Sequence, residues 1–455
     1  MSLFEDLKAF DKKEKISFHI PGHKGGSGLN KKFKGNAFHL DVTEFEETDD
    51  LQNPKGILLK AEERVAEVFD AGKSFFLTNG STIGIHAALL ASCRKGDKIL
   101  VDRSCHKSVI SAITLIGANP VFVQQDFHKN MGIYSGMNPK TIKKVLSENP
   151  DAVGAVITSP TYYGVCSDVS GIAAFLHNEN KFLIVDEAHG AHFVFHDAFP
   201  KTAISQGADI CIQSVHKTLG GLGQSSLLHV NKNSLIKDDE VKRALRTIQT
   251  TSPSYLLMTS IDNAVADAKD EKEKFDAIVS RVSELKAKVR KNSSVEFVDS
   301  RTIGKPQDIL RLVADFRKVG ISGQYASSIL KEKGIYPEMA DRYHVVFVIT
   351  AANTKGELKT LEEELINFSK TKIESSADAQ PQPLPDVNLD MIPQDAWYSD
   401  RECVAVEEAE GRISADIVSV CPPGAAVIVP GQVIDKKTID YLKSMGVTEE
   451  IEVIK

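Results

Sequence analysis

Short apolar runs that alternate with helical patterns constrain this chain most. Between about residues 60 and 290, runs such as KILVD, PVFV, AVGAVITS, KFLIVD and DICIQSV are four to eight residues long, and segments with helical spacing separate most of them. Strands that are apolar on both faces and are joined by helices belong to the interior of a parallel sheet. The pattern therefore predicts an α/β domain with a mostly parallel sheet.

Composition shifts along the 455 residues predict three parts. Residues 1–60 are expected to form an N-terminal arm or loop, because KKEKISFHIPGHKGGSG holds too many glycines and lysines for a regular element. Residues 61–290 form the large α/β domain. Residues 291–455 form a smaller α+β unit with strands at SVEFV, DILRLVADF and HVVFVIT, and a proline-rich linker spans about residues 372–393.

Charge and cysteine content exclude several classes of partner. The formal net charge is −7 and no block of lysine or arginine stands out, which argues against a nucleic-acid partner. No run approaches the ~18 apolar residues of a membrane span, and the first residues lack the apolar region of a signal peptide. We therefore expect a cytoplasmic protein without a membrane partner. The six cysteines are far apart and lack metal-ligand spacing, so no metal site is expected.

The segment after the run SFFLT has the character of an anion site. Asn79, Gly80, Ser81 and Thr82 follow this strand and begin a helix. Ligands of open parallel sheets bind beyond the carboxyl ends of the strands, and free N–H groups at a helix N-terminus bind phosphate. Serine and threonine are also ordinary N-cap residues, so the two interpretations carry about equal weight.

An acid and a lysine follow two other predicted strands. KFLIVD ends at Asp186, and DICIQSV leads into Ser214, His216 and Lys217. A buried carboxylate favours a cationic partner, and a poorly solvated lysine has a lowered pKa and becomes a nucleophile toward aldehydes. Together with a phosphate site, this pair predicts the cofactor pyridoxal 5′-phosphate. The glycines that follow the lysine are expected to let the backbone turn tightly beside the cofactor.

Six motifs in fixed order carry a family resemblance. With PGHKGG, TNGST, DRSCHKSV, SPTYYGV, VDEAHGAH and SVHK, the chain resembles the ornithine/lysine/arginine decarboxylase family, in its short form without an N-terminal wing domain. The resemblance covers about residues 18–260 and weakens beyond. It implies a fold-type I, aspartate aminotransferase-like large domain and a pyridoxal-phosphate-dependent decarboxylase. Its substrate would be arginine, lysine or ornithine, with arginine narrowly preferred, and its products CO2 and a polyamine-type amine.

The resemblance also implies roles for single residues. Lys217 carries the Schiff base, and Asp186 pairs with the pyridine nitrogen. His106 stacks on the ring, although it could simply cap the helix that follows. Ala188 leaves room under the ring. His189 beside the acid either tunes that carboxylate or is a core histidine.

Further implied residues surround the cofactor. Those that bind the cofactor phosphate are Gly80, Ser81, Thr82, Ser214 and His216. Lys217 or His216 returns a proton to the substrate. Thr161 and Tyr162 follow another strand end, where a hydroxyl could reach the ring oxygen or the tyrosine could simply pack.

The fold type implies a homodimer, or a multiple of dimers, with shared active sites. Thr251 and Ser252 lie in TIQTTSPSY, which matches the stretch that reaches the partner's phosphate in the family. A helix N-cap before a proline-led turn is an alternative of about equal weight.

A basic substrate requires acids at a distance from the cofactor. The stretch HLDVTEFEETDDL matches a segment that borders the active site in the family, and a solvated acidic loop is the alternative. The acids considered for the substrate site are Asp41, Glu44, Asp49, Asp50 and Glu338, together with Glu46, Glu47 and Asp341.

Two positions depart from the family pattern. Cys421 and Gln432 stand where members usually have the tyrosine of YPPG and the glutamate of PGE. These positions either shape a loop only, or substrate selection has changed. An aminotransferase or acyl-transferring synthase on the same fold, and a protein that binds the cofactor without turnover, are the alternative functions.

Overall fold

The structure is a computed structural model, and it describes residues 3–13, 15–368, 382–420, 424–447 and 450–455. Its helices are α1 Leu3–Asp11, α2 Lys31–Asn36, α3 Ile57–Phe69, α4 Gly80–Ser92, α5 Lys107–Ile116, α6 Pro139–Glu148, α7 Val169–Asn178, α8 Val215–Thr218, α9 Asp238–Ile248, α10 Tyr255–Asp270, α11 Lys272–Asn292, α12 Ser300–Ile303, α13 Gly323–Glu332, α14 Lys355–Asn367, α15 Pro393–Tyr398 and α16 Lys436–Ser444.

Its strands are β1 Ile16–Phe18, β2 Lys73–Leu77, β3 Lys98–Asp102, β4 Asn119–Val123, β5 Phe127–His128, β6 Ile133–Tyr134, β7 Gly154–Thr158, β8 Phe182–Asp186, β9 Ile210–Gln213, β10 Ser226–Val230, β11 Glu296–Val298, β12 Arg311–Asp315, β13 Ile335–Pro337, β14 Met339–Ala340, β15 His344–Val348, β16 Arg401–Val404, β17 Val418–Val420, β18 Ala425–Ile428 and β19 Ile451–Ile454.

A seven-stranded sheet in the order β2-β10-β9-β8-β7-β3-β4 forms the centre of the large domain. All its strands are parallel except β10, which runs antiparallel to both β2 and β9. The apolar runs are buried between helices on the two faces, as in β8, where all five residues are buried. The predicted α/β class with a mostly parallel sheet is confirmed.

An antiparallel sheet in the order β11-β12-β15-β14 forms the core of the next unit. Its strands match the three predicted from the sequence, and β14 is additional. Strand β12 is buried along its whole length although it begins with Arg311. The last part of the chain adds two small strand pairs, β16 with β19 and β17 with β18.

The first 60 residues contain more regular structure than the expected arm or loop. Helix α1 comes first, and β1 then pairs in parallel with β13 of the C-terminal unit. Helix α2 follows an N-cap in which the Asn30 side chain accepts from the backbone N–H of Lys32 at 2.9 Å. A three-residue strand has no periodicity of its own, so the sequence could not reveal it. The arm therefore joins the chain's beginning to its C-terminal unit.

The predicted linker lies partly outside the described residues. Residues 372–381 belong to that part, whereas residues 382–388 contain no helix or strand and α15 begins at Pro393. Within the part of the chain that the structure describes, no helix is both long enough and apolar enough to cross a membrane.

Glu62 of α3 is a buried acid whose titration should affect stability. It is 3% exposed; one carboxylate oxygen accepts from the N–H of Phe76 at 3.0 Å, and the other has no hydrogen-bond partner. Burial raises the pKa of Glu62 to about 8, against smaller opposing effects of that N–H, Lys73 and Lys242. The folded protein thus keeps a proton that the unfolded chain loses near pH 4.5.

Replacing Glu62 by glutamine should therefore make stability less sensitive to pH. Between about pH 4.5 and 8 the folded wild type holds one more proton than the unfolded chain. As the pH rises through this range, Glu62 therefore lowers the free energy of unfolding by at most roughly 1.4 kcal/mol per pH unit. Denaturant unfolding should show that the free energy of unfolding falls less between pH 5.5 and pH 8 in Glu62→Gln than in wild type. The exposed Glu63→Gln serves as control, and equal losses in all three proteins would contradict the assignment.

Candidate active site

Lys217 lies on a single helical turn, α8, directly after strand β9 of the central sheet. Burial lowers the pKa of Lys217, and Arg311 lowers it further, whereas Asp186 and Glu338 oppose the shift. Its Nζ lies 3.3 Å from Nε2 of His189. The predicted lysine therefore has the poorly solvated environment that favours its neutral, nucleophilic form.

The glycines after Lys217 make room for the N-terminal arm. A Cβ at Gly220 would lie 2.3 Å from the carbonyl oxygen of Gly28, and one at Gly22 would lie 2.5 Å from that of Leu219. The N–H of Gly22 also donates to the carbonyl oxygen of His216 at 2.7 Å. The arm's backbone therefore occupies the space beside Gly220, and the expected tight turn of these glycines beside the cofactor stays a prediction.

Asp186 ends β8, the strand beside β9 in the sheet. Its side chain is buried, with 5% of the residue exposed, and Oδ1 accepts from the N–H of Ala188 at 3.1 Å. The Asp186 carboxylate acts to raise the pKa of both His106 and Lys217, although burial lowers both overall. The structure thus brings the predicted acid, lysine and histidine together at the carboxyl edge of the sheet.

The N-terminus of α4 is open to an anion. Gly80 has φ +76°, a left-handed conformation that favours glycine, and the preceding Asn79 gives the helix no side-chain cap. The Asn79 Oδ1 instead accepts from the N–H of Thr250 at 3.2 Å. Ser214 Oγ donates to Ser81 Oγ at 3.0 Å, so two predicted phosphate ligands from separate strands meet here. Thr82 is exposed on the same helix turn.

His216 lies beside this group with one ring nitrogen already engaged. Its Nδ1 donates to the carbonyl oxygen of Ser225 at 2.9 Å, because a carbonyl can only accept. Burial lowers the pKa of His216. Nε2 of the neutral ring would therefore be an acceptor, and it becomes a donor to a phosphate only when the ring is protonated.

His106 and Ala188 are the residues predicted for the two cofactor faces. His106 is the N-cap of α5, where its Nδ1 accepts from the N–H of Ser108 at 3.2 Å. This cap uses the edge of the ring, so capping and ring stacking are compatible. A Cβ at Gly424 would lie 3.4 Å from the His106 ring, which places the C-terminal unit against it. Ala188 is buried beside Asp186, and the stacking roles remain predictions.

In the acidic loop, the carboxylate of Asp49 is occupied by backbone N–H groups. Asp49 takes a left-handed φ of 70°, and its oxygens accept from the backbone N–H groups of Asp50, Lys55, Gly56 and Leu58. Burial alone raises the pKa of Asp49, but these donors outweigh it and the pKa is lowered. This occupation favours a loop-holding role for Asp49.

The other acids of this loop accept fewer hydrogen bonds from backbone N–H groups than Asp49 does. Asp41 and Asp50 are exposed, although Asp50 Oδ1 also accepts from the N–H of Gln52. Glu44 accepts from the hydroxyl of Thr43 at 2.6 Å. All remain predicted substrate contacts.

Glu338 connects three parts of the chain. Its Oε1 accepts from the hydroxyl of Tyr162 at 2.6 Å, and its Oε2 accepts from the N–H of Ile20 in the arm at 2.9 Å. Its negative charge opposes the lowering of the Lys217 pKa. Asp341 instead accepts from the Tyr163 hydroxyl at 2.7 Å.

Two buried cations, Arg311 and Lys24, were not predicted from the sequence. Arg311 is 1% exposed; one amino group donates to Nδ1 of His189 and the other has no hydrogen-bond partner. Lys24 donates to the carbonyl oxygens of His19 and Val348 at 2.6 and 3.0 Å, and burial lowers its pKa to about 7. The available signals were a single arginine within an apolar strand, DILRLVADF, and the lysine of PGHKGG.

The remaining residues that were singled out in the sequence are Thr251, Ser252, Cys421 and Gln432. Thr251 and Ser252 are exposed, so their surface is open to contact. Cys421 lies outside the described residues. Gln432 is buried and its Oε1 accepts from the N–H of Val429 at 3.1 Å, which fits the interpretation that it shapes a loop.

Pyridoxal phosphate fits this set of residues. A buried amine and a buried carboxylate lie at the ends of the adjacent strands β9 and β8, and the Ser214–Ser81 hydrogen bond connects this edge to the uncapped start of α4. In addition, the hydroxyls of Thr78 and Ser225 are buried without a hydrogen-bond partner close to the Ser81 side of the site. Among the described residues, no group of three or more His, Cys, Asp or Glu side chains could hold a metal ion.

Replacing Ser214 by alanine should weaken cofactor binding. The change removes a hydroxyl that orients Ser81, and a hydrogen bond to a charged group is worth about 1.5–3 kcal/mol, or roughly tenfold to 100-fold in affinity. Titration of the protein with pyridoxal phosphate measures the dissociation constant. The exposed Ser205→Ala is the control, and an unchanged constant in Ser214→Ala would remove this residue from the phosphate site.

Comparisons with known proteins agree in family and fold. Residues 1–309 match the family model "Orn/Lys/Arg decarboxylase, major domain", and residues 379–451 match that family's C-terminal domain. The chain is 34% identical over 453 residues to an arginine decarboxylase of Bacillus subtilis, covering 97% of this chain and 92% of the relative.

Solved structures show the same fold. The constitutive lysine decarboxylase of Escherichia coli superposes with a TM-score of 0.78 at 21% identity, over 99% of this chain and 81% of that one. A chain described as SPT with PLP superposes with a TM-score of 0.60 at 13% identity, over 78% of this chain and 87% of that one. The predicted fold type is thereby confirmed.

Proposed function

The chain belongs to the Orn/Lys/Arg decarboxylase family, and we propose that it uses pyridoxal phosphate to remove the α-carboxylate of a basic amino acid, with Lys217 as the residue that binds the cofactor. The observation that carries the residue assignment is the placement of Lys217 and Asp186 at the ends of adjacent strands β9 and β8, with the lysine's pKa lowered by burial. An amine and an acid in this arrangement could bind pyridoxal phosphate for the decarboxylation after which the family is named.

When bound, pyridoxal phosphate supplies an electrophilic aldehyde and a ring that accepts the electron pair left when CO2 departs. Asp186 would hold a proton on the ring nitrogen, which stabilises negative charge as it develops. Ser81, Ser214 and the N–H groups at the start of α4 would hold the phosphate. His106 would cover one face of the ring and exclude water from it.

Two residues are candidates to hold the proton that returns to the substrate. Burial lowers the pKa of the Lys217 amine, so this residue would give up and take back a proton more readily than an exposed lysine. His216 has only Nε2 available, because Nδ1 donates to the carbonyl oxygen of Ser225. This difference favours Lys217.

Arginine is the substrate that we propose. The Bacillus subtilis relative named arginine decarboxylase is 34% identical over nearly the whole chain, whereas the Escherichia coli lysine decarboxylase structure is 21% identical. The guanidinium group would need an acid in reach. Asp41, Glu44 and Asp50 are available for this role, since Asp49 already binds four backbone N–H groups.

A panel of carboxyl-labelled arginine, lysine and ornithine tests the proposal. Purified protein with pyridoxal phosphate should release labelled CO2 fastest from arginine, with formation of the matching amine. Fastest release from lysine or ornithine would overturn the substrate assignment alone. Absence of release from all three would overturn the decarboxylase assignment, provided that the cofactor absorbance band confirms loading.

We also propose a homodimer with shared active sites. Thr251 and Ser252 are exposed beside Thr250, whose N–H donates to Asn79 at the start of α4. The exposed Thr251 and Ser252 would contact the phosphate of the partner's cofactor; within its own chain, the N–H of Ser252 donates to the Thr250 hydroxyl at 3.2 Å. Sedimentation should give twice the chain mass of 49.8 kDa. Mixing Lys217→Ala chains with Ser252→Ala chains should restore part of the activity, which a monomeric site would not allow.

A further inference from the structure

His189 lies between two cationic side chains. Its Nε2 is 3.3 Å from Nζ of Lys217, and its Nδ1 contacts an amino group of Arg311. Both His189 and Arg311 are buried. Each ring nitrogen thus faces a group that, when charged, can only donate a hydrogen bond.

The proton count of this triplet permits one favourable arrangement. Arginine has no acceptor, so Nδ1 of His189 must accept from Arg311 and carries no hydrogen. Burial lowers the pKa of His189 well below its usual value, with Lys217 and Arg311 contributing, so the ring is neutral. A neutral ring has one hydrogen, which must then be on Nε2. Nε2–H can donate to Lys217 only if the lysine has a lone pair.

We propose that Arg311 acts through His189 to hold Lys217 as a neutral amine. Arg311 fixes the histidine tautomer, and the tautomer presents a donor to Lys217. A protonated Lys217 would face that donor with donors of its own and could be accommodated only by giving up the Arg311 contact. Arg311 is therefore a positioning residue for the nucleophile. The inference rests on the proposed function, in which Lys217 is the amine that reacts with the cofactor.

The surrounding backbone holds Arg311 where this contact requires it. Gly164 has φ +81°, and a Cβ there would lie 2.7 Å from Cβ of Arg311. The carbonyl oxygen of Arg311 accepts from the side chain of Gln307 at 2.9 Å, and its N–H donates to the carbonyl oxygen of Asp308 at 3.1 Å.

A second histidine of the same motif secures the segment before β12. Nε2 of His192 is 3.1 Å from the Asp308 carboxylate, and both side chains are buried. The two histidines of VDEAHGAH therefore both contact the segment that carries Arg311, His189 directly and His192 through Asp308.

Other charges also act on Lys217 and His189, and the test must separate them from Arg311. Asp186 at the end of β8 and Glu338 in the C-terminal unit act on Lys217. His106 at the start of α5 and His216 on α8 act on His189. Since none of them contacts Nδ1 of His189, a change of tautomer reports on Arg311 alone.

The first measurement is the ¹⁵N spectrum of the full-length protein with its cofactor, labelled at histidine and assigned with His189→Gln. Wild type should show Nε2 protonated and Nδ1 unprotonated at His189. Arg311→Met should populate both tautomers, whereas Arg311→Lys, which keeps a donor without an acceptor, should retain the wild-type tautomer. A wild-type spectrum with Nδ1 protonated would overturn the proposal, whether or not any variant folds.

The second measurement is the pH dependence of the rate at which cofactor-stripped full-length protein regains its imine absorbance band. The midpoint of this pH dependence should move up by about one pH unit in Arg311→Met. At any pH below the midpoint, the variant should therefore regain the imine band about tenfold more slowly than wild type. The midpoint should move less in Arg311→Lys. In a His189→Leu background, Arg311→Met should add little, because the effect passes through the histidine.

The outcomes separate this inference from the proposed function. A shifted midpoint with an unchanged His189 tautomer would mean that Arg311 acts on Lys217 by charge alone, and the role of His189 would fail. An unchanged midpoint and an unchanged tautomer in Arg311→Met would overturn the inference entirely. In both cases loss of the imine band in Lys217→Ala would still support the proposed function. Circular dichroism confirms that each variant compared is folded.

Discussion

Asp186→Asn should lower the rate of decarboxylation by about 10²–10³-fold, the loss typical of removing one preorganised electrostatic contact. Asparagine has the same shape but no charge, so it could not keep a proton on the cofactor's ring nitrogen. Asp186 is 5% exposed at the end of β8, where water cannot replace its charge. The loss should appear in kcat more than in KM, because the contact strengthens as charge develops.

The matched control for this change is Asp197→Asn on the exposed surface, which should retain wild-type kinetics. Cofactor binding by Asp186→Asn should be retained in part, because the proposed phosphate ligands Ser81 and Ser214 are unchanged. A variant with full cofactor occupancy and wild-type kcat would contradict the role of Asp186.

Lys217→Ala should abolish the imine absorbance band and lower the rate by on the order of 10⁴-fold or more, as loss of a nucleophile does in other enzymes. The protein should remain folded, because removing a buried amine with a lowered pKa relieves a desolvation cost. Spectra, CO2 release and thermal unfolding measure the three effects. Retention of the band in this variant would contradict the assignment.

Lys24→Met provides a demanding control for that variant. Lys24 is also buried, and its pKa is lowered to about 7, so a low pKa alone could make it a competing nucleophile. Its Nζ is however bound to two backbone carbonyl oxygens, of His19 and Val348. The imine band should therefore survive in Lys24→Met.

The central sheet could be predicted because its signals are local. Strand β3 coincides with the run KILVD and β8 with all but the first residue of KFLIVD. Strand β10 was missed, because SLLHV follows the glycines that were assigned to a turn, and its antiparallel direction depends on pairing with β2 and β9. Strand β1 was missed because only its partner β13 makes it a strand.

In the site, too, some residues could be predicted from local signals, whereas others depend on contacts between distant parts of the chain. Asp186 ends β8, and Ser214 and Lys217 follow the end of β9, so the sheet alone brings them together. Arg311 contacts His189 across 122 residues of sequence, and no local pattern reveals such a contact. The close approach of the Gly28 carbonyl oxygen to Gly220 was not predicted either, because the arm's path over α8 is a property of the tertiary structure.

Chemical mapping of the cofactor linkage tests the central claim most directly. The protein loaded with pyridoxal phosphate is reduced with borohydride, digested and analysed by mass spectrometry. We expect the reduced cofactor on the peptide that contains SVHKTLGG, attached to Lys217. A modification found on Lys24 or another lysine, with Lys217 unmodified, would contradict this account of the site.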